Sequence, residues 1–379
     1  MREVDVAIVG AGPGGSAVAL RALQLRPDLR VLLIDRAAFP RDKACGDGVG
    51  PEGVAMLHRL GVAAVLDGYP PVEQVEVVAP SGATARGRVP RPGHVVPRRV
   101  LDARLHAAAV GRGAEPVTRR VRSLERRPDG VVIDGEVHAR WVVGADGANS
   151  TVRRLVGAGA PPRHRTGLAI RGYATAPGHD ALTIRFVADR WPAYAWAFPV
   201  GDGTVNVGYG PFDATTIDRR EDLVAGLAAN LPGFVPDPAT LRAHHLPLSP
   251  SRPRPDHGRV LLVGDAAGLV HPLTGEGIYY ALLSGALAGA AVARFPDHAD
   301  RAYRRGLDQR LGRHLRHTAL AARMFRSPTP VELSVAAAGR RPEVLADLCE
   351  FALGTGLVTP GMVSSLTRRW LGERLAAAG

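Results

Sequence analysis

Val4-Asp-Val-Ala-Ile-Val-Gly10-Ala-Gly12-Pro-Gly14-Gly15-Ser16 is the stretch that decides the fold. Val4 to Val9 is an apolar run with one acid, Asp5, and reads as a buried strand. Ser16 to Leu25 reads as a helix, and Arg30 to Ile34 as a second buried strand ending in Asp35. Strand, glycine turn, helix, strand and acid make a βαβ unit. Gly10, Gly12 and Gly15 have the G-x-G-x-x-G spacing of a dinucleotide site. Gly10 permits the tight turn, Gly12 lets a pyrophosphate approach the backbone, and Gly15 lets helix and strand pack closely. Pro13, Gly14 and Ser16 complete the turn, whose helix N-terminus would face the phosphates. Asp35, 20 residues after Gly15, can accept a hydrogen bond from a ribose hydroxyl. A glycine turn holding no ligand is the plain alternative; the strand before it and the acid after it favour the nucleotide.

Outward from this unit, Pro51–Leu60 reads as a helix, Val72–Val89 as a hairpin about Pro80-Ser-Gly82, and Arg98 to Arg112 as a helix. Val117–Leu124 and Val131–Ile133 read as strands, and Trp141-Val-Val-Gly-Ala-Asp-Gly147 as a buried strand ending in a turn. Gly167–Ala174, Leu182–Val187, Tyr194–Pro199 and Thr204–Tyr209 suggest an antiparallel sheet. Thr216–Leu231 reads as a helix, and Arg259–Asp265 returns to the buried-strand style. Helices then follow at Gly277–Ala293, Arg301–Phe325 and beyond. The expected class is α/β (α+β): a Rossmann-type dinucleotide-binding domain, an inserted antiparallel-sheet substrate domain and a C-terminal helical region. The expected division is 1–70, 98–160 and 258–295 for the first, 71–97 and 161–257 for the second, and 296–379 for the third.

The 379 residues carry a formal net charge of +12, which raises the question of nucleic acid. Lys43 is the only lysine, so 47 of the 48 basic residues are arginines, and they are spread along the chain. Asn occurs only at 149, 206 and 230. That bias accounts for most of the charge, and no nucleic-acid partner is expected. Attraction to an anionic membrane stays open. Two cysteines, Cys45 and Cys349, make no disulfide framework, and no metal spacing occurs. The first residues carry no signal-peptide pattern, and Gly277–Ala293 is short for a membrane span. The expected location is cytoplasmic, with contact at the inner face of the membrane left open.

Two further motifs place an Asp after a buried strand: Gly144-Ala-Asp146-Gly147 and Gly264-Asp265-Ala-Ala-Gly268. Alone, each is a strand-ending turn. Together with the first glycines they resemble the FAD-binding motifs of the para-hydroxybenzoate-hydroxylase-type flavoproteins. The resemblance covers most of residues 1–295. It implies that Arg98 contacts FAD and that Asp265 contacts the ribityl chain. It also implies that the helix after Gly275 points its N-terminus at the flavin, where its dipole favours negative charge. Arg36 and Arg153 are further candidates for the phosphates.

A narrower resemblance rests on Asp42-Lys-Ala-Cys45-Gly46-Asp-Gly48, on Gly264 to Ile278, and on Tyr194-Ala-Trp196-Ala-Phe198-Pro199. These are similar to the geranylgeranyl reductase family. That family has Pro three residues before the tyrosine, where this chain has Trp191 followed by Pro192. Cys45, Gly46, Pro272, Gly275, Gly277 and Ile278 join the implied cofactor set. Tyr194, Trp196 and Phe198 alternate by two, so they share one face of a strand. They form either ordinary sheet core or the wall of an apolar pocket. Cys45, His271 and Tyr194, or a water, are candidate proton donors. Cys45 is otherwise a small buried residue, and His271 a loop hydrogen-bonder. Glu276 reads first as support for the helix start, and Cys349 as core.

The implied activity is FAD-dependent reduction of carbon–carbon double bonds in an isoprenoid or specialised-metabolite substrate. A second dinucleotide fingerprint is absent from the sequence. The reductant is therefore expected to be NAD(P)H bound transiently, or a protein electron donor. No obligate protein partner is evident. A flavin monooxygenase on the same fold is the alternative, and a non-catalytic prenyl-group carrier is the alternative of another class. A flavin halogenase fits poorly, because Lys43 lies in a loop and the tryptophan motif differs.

Overall fold

The structure, a computed structural model, describes residues 1–216, 219–249 and 256–357. It opens as the glycines foretell, with β1 (Arg2–Val9), α1 (Pro13–Leu25) and β2 (Val31–Asp35). Next come β3 (Gly48–Val49), α2 (Pro51–Arg59), the hairpin β4 (Pro71–Val78) and β5 (Thr84–Val95), and α3 (Arg98–Gly111). The expected strand over Val117–Leu124 is two elements, β6 (Glu115–Thr118) and β7 (Leu124–Arg126). Between them Asp134 accepts from the backbone N–H of Arg122 and Ser123 and turns the chain. Then follow β8 (Val131–Ile133), β9 (Val137–Gly144) and α4 (Thr151–Leu155).

The second half holds β10 (Thr166–Thr175), β11 (Ala181–Val187), β12 (Ala193–Pro199), β13 (Thr204–Pro211), α5 (Arg220–Asn230) and β14 (Arg242–Pro247). It continues with β15 (Asp256–His257), β16 (Val260–Leu262), α6 (Ile278–Arg294) and α7 (Ala299–Leu307). The single helix expected over Arg301–Phe325 carries a π-helical turn at Asp308–Gly312 before α8 (Arg313–Met324). α9 (Thr329–Ala338) and α10 (Pro342–Leu353) follow. The end of the expected C-terminal region, 358–379, lies outside the described residues.

The first sheet has the order β15-β16-β9-β1-β2-β6, with β8 on β9 and β7 on β8. β1 runs parallel to both β2 and β9, and β16 runs parallel to β9. Register matters here. Val9 lies beside Ile34 and Gly144, and Leu262 beside Gly144. The ends of β2, β1, β9 and β16 therefore meet at one edge, which brings the three glycine–acid motifs together although they are far apart in sequence. The crevice lies where chain order reverses across β1. α6 lies directly on α1: a Cβ at Gly285 would sit 2.2 Å from Gly14 O, and one at Gly289 2.4 Å from Val18 O. That contact anchors the helix whose start faces the crevice.

The second sheet, β14-β10-β13-β12-β11-β4-β5-β3, is mixed. β4 pairs parallel with β11, because the β4–β5 hairpin is delivered from an earlier chain segment. The other pairings are antiparallel, as expected for the four central strands. α5 covers one face through Leu223, Leu227 and Leu231. α9 and α10 cover β4 and β5 through Val331, Val335, Leu345 and Cys349. Among the described residues, no helix is long and apolar enough to cross a membrane.

Candidate active site

One cavity of ≈ 730 Å³ runs from the crevice of the first sheet to the second sheet and on beneath α8, α9 and α10. This lies within the ~300–1,000 Å³ of small-molecule sites. Its two ends differ in chemistry, and each is built by a different sheet.

At the crevice end the glycines divide their labour. Gly10 has φ +101°, and a Cβ there would lie 2.4 Å from Ala145 O. A Cβ on Gly15 would lie 1.8 Å from Gly10 O, so Gly15 holds α1 against the turn. Gly12 differs. Its Cβ would meet only side-chain tips, Arg41 Nη2 at 3.4 Å and Arg98 Nη2 at 3.7 Å, and would project into the cavity. No side chain caps α1 at this end. An uncapped helix start beside a backbone with no Cβ fits a pyrophosphate. Pro13 and Gly14 line the cavity too. Gly15 and Ser16 do not: Gly15 is packed on Gly10, and Ser16 donates its hydroxyl to Ala11 O at 3.0 Å. Their contribution is to the turn's shape.

Asp35 accepts from Ala11 N at 2.9 Å and Ala37 N at 3.0 Å. Arg41 bridges Asp35 at 3.3 Å and Asp102 at 3.2 Å. Asp102 is in turn held bidentately by Arg98 at 2.6 and 2.7 Å. Arg98 is only 4% exposed; burial opposes its charge, yet the Asp102 carboxylate beside it keeps the guanidinium firmly protonated. Arg36 lines the same end. Arg153 does not. It donates to the carbonyls of Ala148, Asp265 and Ala266, away from the cavity, which corrects its candidacy for the phosphates. Asp146 lines the cavity, but its oxygens accept from Ser150 Oγ, Thr151 N and Val152 N. Its carboxylate caps α4.

At the middle of the cavity Lys43 donates to Asp265 at 2.9 Å. Burial alone would raise the Asp265 pKa, but the Lys43 ammonium beside it outweighs that and holds the carboxylate ionised. The turn His271–Gly277 closes on itself, with His271 N on Glu276 O and Gly275 N on His271 O. Gly264, Pro272, Gly275, Gly277 and Ile278 line the cavity beside it. Glu276 Oε1 accepts from Tyr279 N at 2.8 Å at the start of α6, and burial pushes its pKa up to about 7.

The aromatic row is the wall between the two ends. Tyr194, Trp196 and Phe198 line the cavity from one face of β12, their rings 5.7 and 6.3 Å apart. Gly208 lets Trp196 lie flat, since a Cβ there would be 2.0 Å from Trp196 Cζ2. Gly46 packs on Phe198 and Trp196 from the other side, which sets Cys45 and Gly46 against the row. Beyond lie Phe186, Trp191, Leu182, Ile184 and Phe325, an apolar arm.

The proton-donor candidates separate in this setting. Tyr194 donates its hydroxyl to Thr274 O at 2.6 Å, and burial raises its pKa, so that proton is held. His271 sits between Tyr280, His314 and Phe351. Burial and then the His314 charge push its pKa down to about 3, so it is neutral. Its Nδ1 accepts from Leu273 N. Cys45 lines the cavity, and burial raises its thiol pKa above the usual range, so it keeps its proton. Cys349 is buried, as expected, and its thiol is pushed up to about 12 by burial.

The sequence reading missed what holds the Cys45 loop. Asp47, fully buried at φ +62°, accepts from Tyr173 OH at 2.5 Å, Asn206 Nδ2 at 2.8 Å and Arg98 N at 3.3 Å. Burial pushes its pKa up to about 6. Asn206 also donates to Cys45 O and accepts from Trp196 Nε1, both at 2.9 Å. Arg171 pairs with Asp42 and stacks on Tyr173. One signal was available: Arg171, Tyr173 and Asn206 are polar residues inside otherwise apolar strands.

Comparison with known proteins shows the family and the fold. A model of an FAD binding domain matches residues 3–171. A menaquinone reductase of Mycolicibacterium smegmatis is 36% identical over 315 residues, 76% of this chain and 75% of that protein. A digeranylgeranylglycerophospholipid reductase of Methanopyrus kandleri is 34% identical over 310 residues, covering 76% and 80%. The crystal structure of a geranylgeranyl bacteriochlorophyll reductase-like protein from Thermoplasma acidophilum superposes with a TM-score of 0.81 at 22% identity, over 97% of this chain and 96% of that one. With its glycine cradle and ribose-side acid fitting FAD, the chain belongs to the geranylgeranyl reductase family of FAD-dependent oxidoreductases.

Proposed function

We propose that the protein reduces carbon–carbon double bonds of an isoprenoid substrate. The observation that carries this reading is the continuity of one cavity from a dinucleotide cradle, past an aromatic wall, into an apolar arm. Residues 1–70, 98–160 and 258–295 then serve as the FAD-binding unit and 71–97 and 161–257 as the substrate unit, and the third unit, 296–379, covers the apolar arm with the helices of its described part, 296–357. Gly48 and Val49 cross that division, pairing with β5 of the second sheet.

Gly10, Gly12, Pro13 and Gly14 hold the pyrophosphate, with Arg98 and Arg36 as charge partners. Asp35 takes the ribose. Asp265, kept ionised by Lys43, takes the ribityl hydroxyls, and Gly275, Gly277 and Ile278 present the start of α6 to the ring system. FAD held there, once reduced by NAD(P)H or a protein donor, would supply a hydride for one alkene carbon. Cys45 supplies the proton to the other carbon and is reprotonated from water. Tyr194, Trp196 and Phe198 fix the alkene and exclude water, and their faces stabilise positive charge developing on carbon. Anaerobic incubation of the reduced holoenzyme with polyprenyl substrates tests this. The expected product gains two hydrogens per double bond; unchanged polyprenyl chains across the series would overturn it.

A further inference from the structure

We infer that the outer face of α8 docks the protein on an anionic lipid bilayer, with Leu320 and Met324 entering the headgroup layer. At ~100° per residue, Arg313, Arg316, His317, Leu320, Arg323 and Met324 fall within about 120° of one another. The opposite face, His314, Leu315, Thr318 and Ala321, is buried. Leu320 is 58% and Met324 51% exposed, two large apolar side chains standing in solvent one turn apart. Between Arg310 and Arg326 stand five arginines and no acid. Arg310, Arg313, Arg316, Arg323 and Arg326 enter no ion pair among the described residues, unlike Arg86, Arg91 and Arg304, so no carboxylate cancels their charge. Apolar tips among arginines on a helix lying along the surface match an interfacial anchor, and no such pattern is needed for a solvated face.

Position gives the face a purpose. Ala322 and Phe325, one turn round the same helix, line the apolar arm of the cavity. Trp191 Nε1 donates to Phe325 O at 2.9 Å and ties the end of α8 to the second sheet. A bilayer on the outer face would therefore lie one helix away from the arm that takes an apolar chain. This placement rests on the isoprenoid reading for its purpose, but the docking itself is independent of it.

The test uses the full-length holoenzyme and vesicles of phosphatidylcholine, with and without phosphatidylglycerol, in a sedimentation assay. Binding is expected only to the anionic vesicles and is expected to fall as salt rises, since the Debye length is ~10 Å at 0.1 M. Each arginine near such a surface contributes roughly a factor of five, so Arg316→Gln with Arg323→Gln should weaken partition about 30-fold. Leu320→Asp should weaken it separately. Both variants should keep full turnover of substrate in detergent micelles, whereas a failed activity reading leaves the vesicle result standing. Equal vesicle binding by wild type and variants would overturn the inference. So would binding to DNA in place of vesicles, or a wild-type dimer that Leu320→Asp converts to monomer.

Discussion

Gly12→Ala and Gly15→Ala are chemically identical changes three residues apart, and the structure assigns them opposite consequences. At Gly12 the backbone is extended, with φ −72° and ψ −168°, and tolerates a side chain. The new Cβ meets the end of Arg41 at 3.4 Å and, at ordinary contact distance, Arg98 Nη2 and Asp102 Oδ2, both at 3.7 Å. As an N-cap, alanine is worse than glycine by about 1 kcal/mol, while the stiffer unfolded chain returns about 0.4–1 kcal/mol. The apoprotein should therefore melt within a few degrees of wild type. The same methyl projects into the cradle where the pyrophosphate must come within hydrogen-bond reach of the backbone. FAD affinity should fall at least about tenfold, which corresponds to ~1.4 kcal/mol. At Gly15 the Cβ would stand 1.8 Å from Gly10 O, well inside any contact distance. α1 must shift off the turn and off α6. Overpacking of this kind costs about 1–3 kcal/mol, and a backbone obstacle puts it at the upper end. Calorimetry of the apoproteins and FAD titration by flavin fluorescence read the two effects separately. Wild-type FAD affinity in Gly12→Ala, or an unchanged apoprotein melting temperature in Gly15→Ala, would refute the division of roles.

Three further outcomes follow from the same geometry. Cys45→Ala should slow the anaerobic transfer to an alkene by about 10²-fold or more, the scale of a lost general acid, while FAD affinity changes less than twofold; single-turnover spectroscopy checks it. Lys43→Met should cost the apoprotein on the order of 2 kcal/mol, because a largely buried Asp265 loses its cation, and Asp265→Asn in the same chain should recover most of it, as measured in urea. Since the Asp265 pKa is depressed in the fold, its stabilisation is present above the ordinary carboxylate value and lost as pH falls; in Lys43→Met, with burial less opposed, the folded pKa rises and that acid-side loss should shrink or reverse. Glu276 has the opposite sign: burial raises its pKa from 4.5 to about 7, so the fold binds its proton more tightly and loses stability as pH rises from the lower value through the upper one. Glu276→Gln should leave stability near pH 4 unchanged and raise it above pH 7 by on the order of 2 kcal/mol, seen as a flatter pH profile.

The parts of this account that were legible in the sequence are those set by local pattern. The turn after β1, the acid ending β2 and the buried runs of β9 and β16 each announce themselves by composition and spacing. Their convergence follows from parallel pairing at the switch point. The aromatic alternation of β12 likewise fixes which residues share a face. What stayed hidden depends on contacts between distant segments. No local signal pairs β4 with β11 in parallel, since either orientation buries the same side chains. The same holds for Asp47, whose partners Tyr173 and Asn206 come from two other strands. Asp146 and Asp35 look alike in sequence, each an acid after a buried strand. Only the fold shows that Asp146 spends its oxygens on Ser150 and the start of α4, while Asp35 spends its own on Ala11, Ala37 and Arg41. The helices α8 to α10 carry no motif, yet they close the apolar arm.

The central claim is that this cavity brings an isoprenoid double bond to bound FAD as its electron acceptor. Its most direct measurement is the reoxidation of the anaerobically reduced holoenzyme, followed by flavin absorbance, with a polyprenyl lipid that has no redox-active ring as the only oxidant. The account predicts return of the oxidised flavin spectrum in step with saturation of one double bond per flavin. Reoxidation by molecular oxygen alone, with a hydroxylated product, would contradict it.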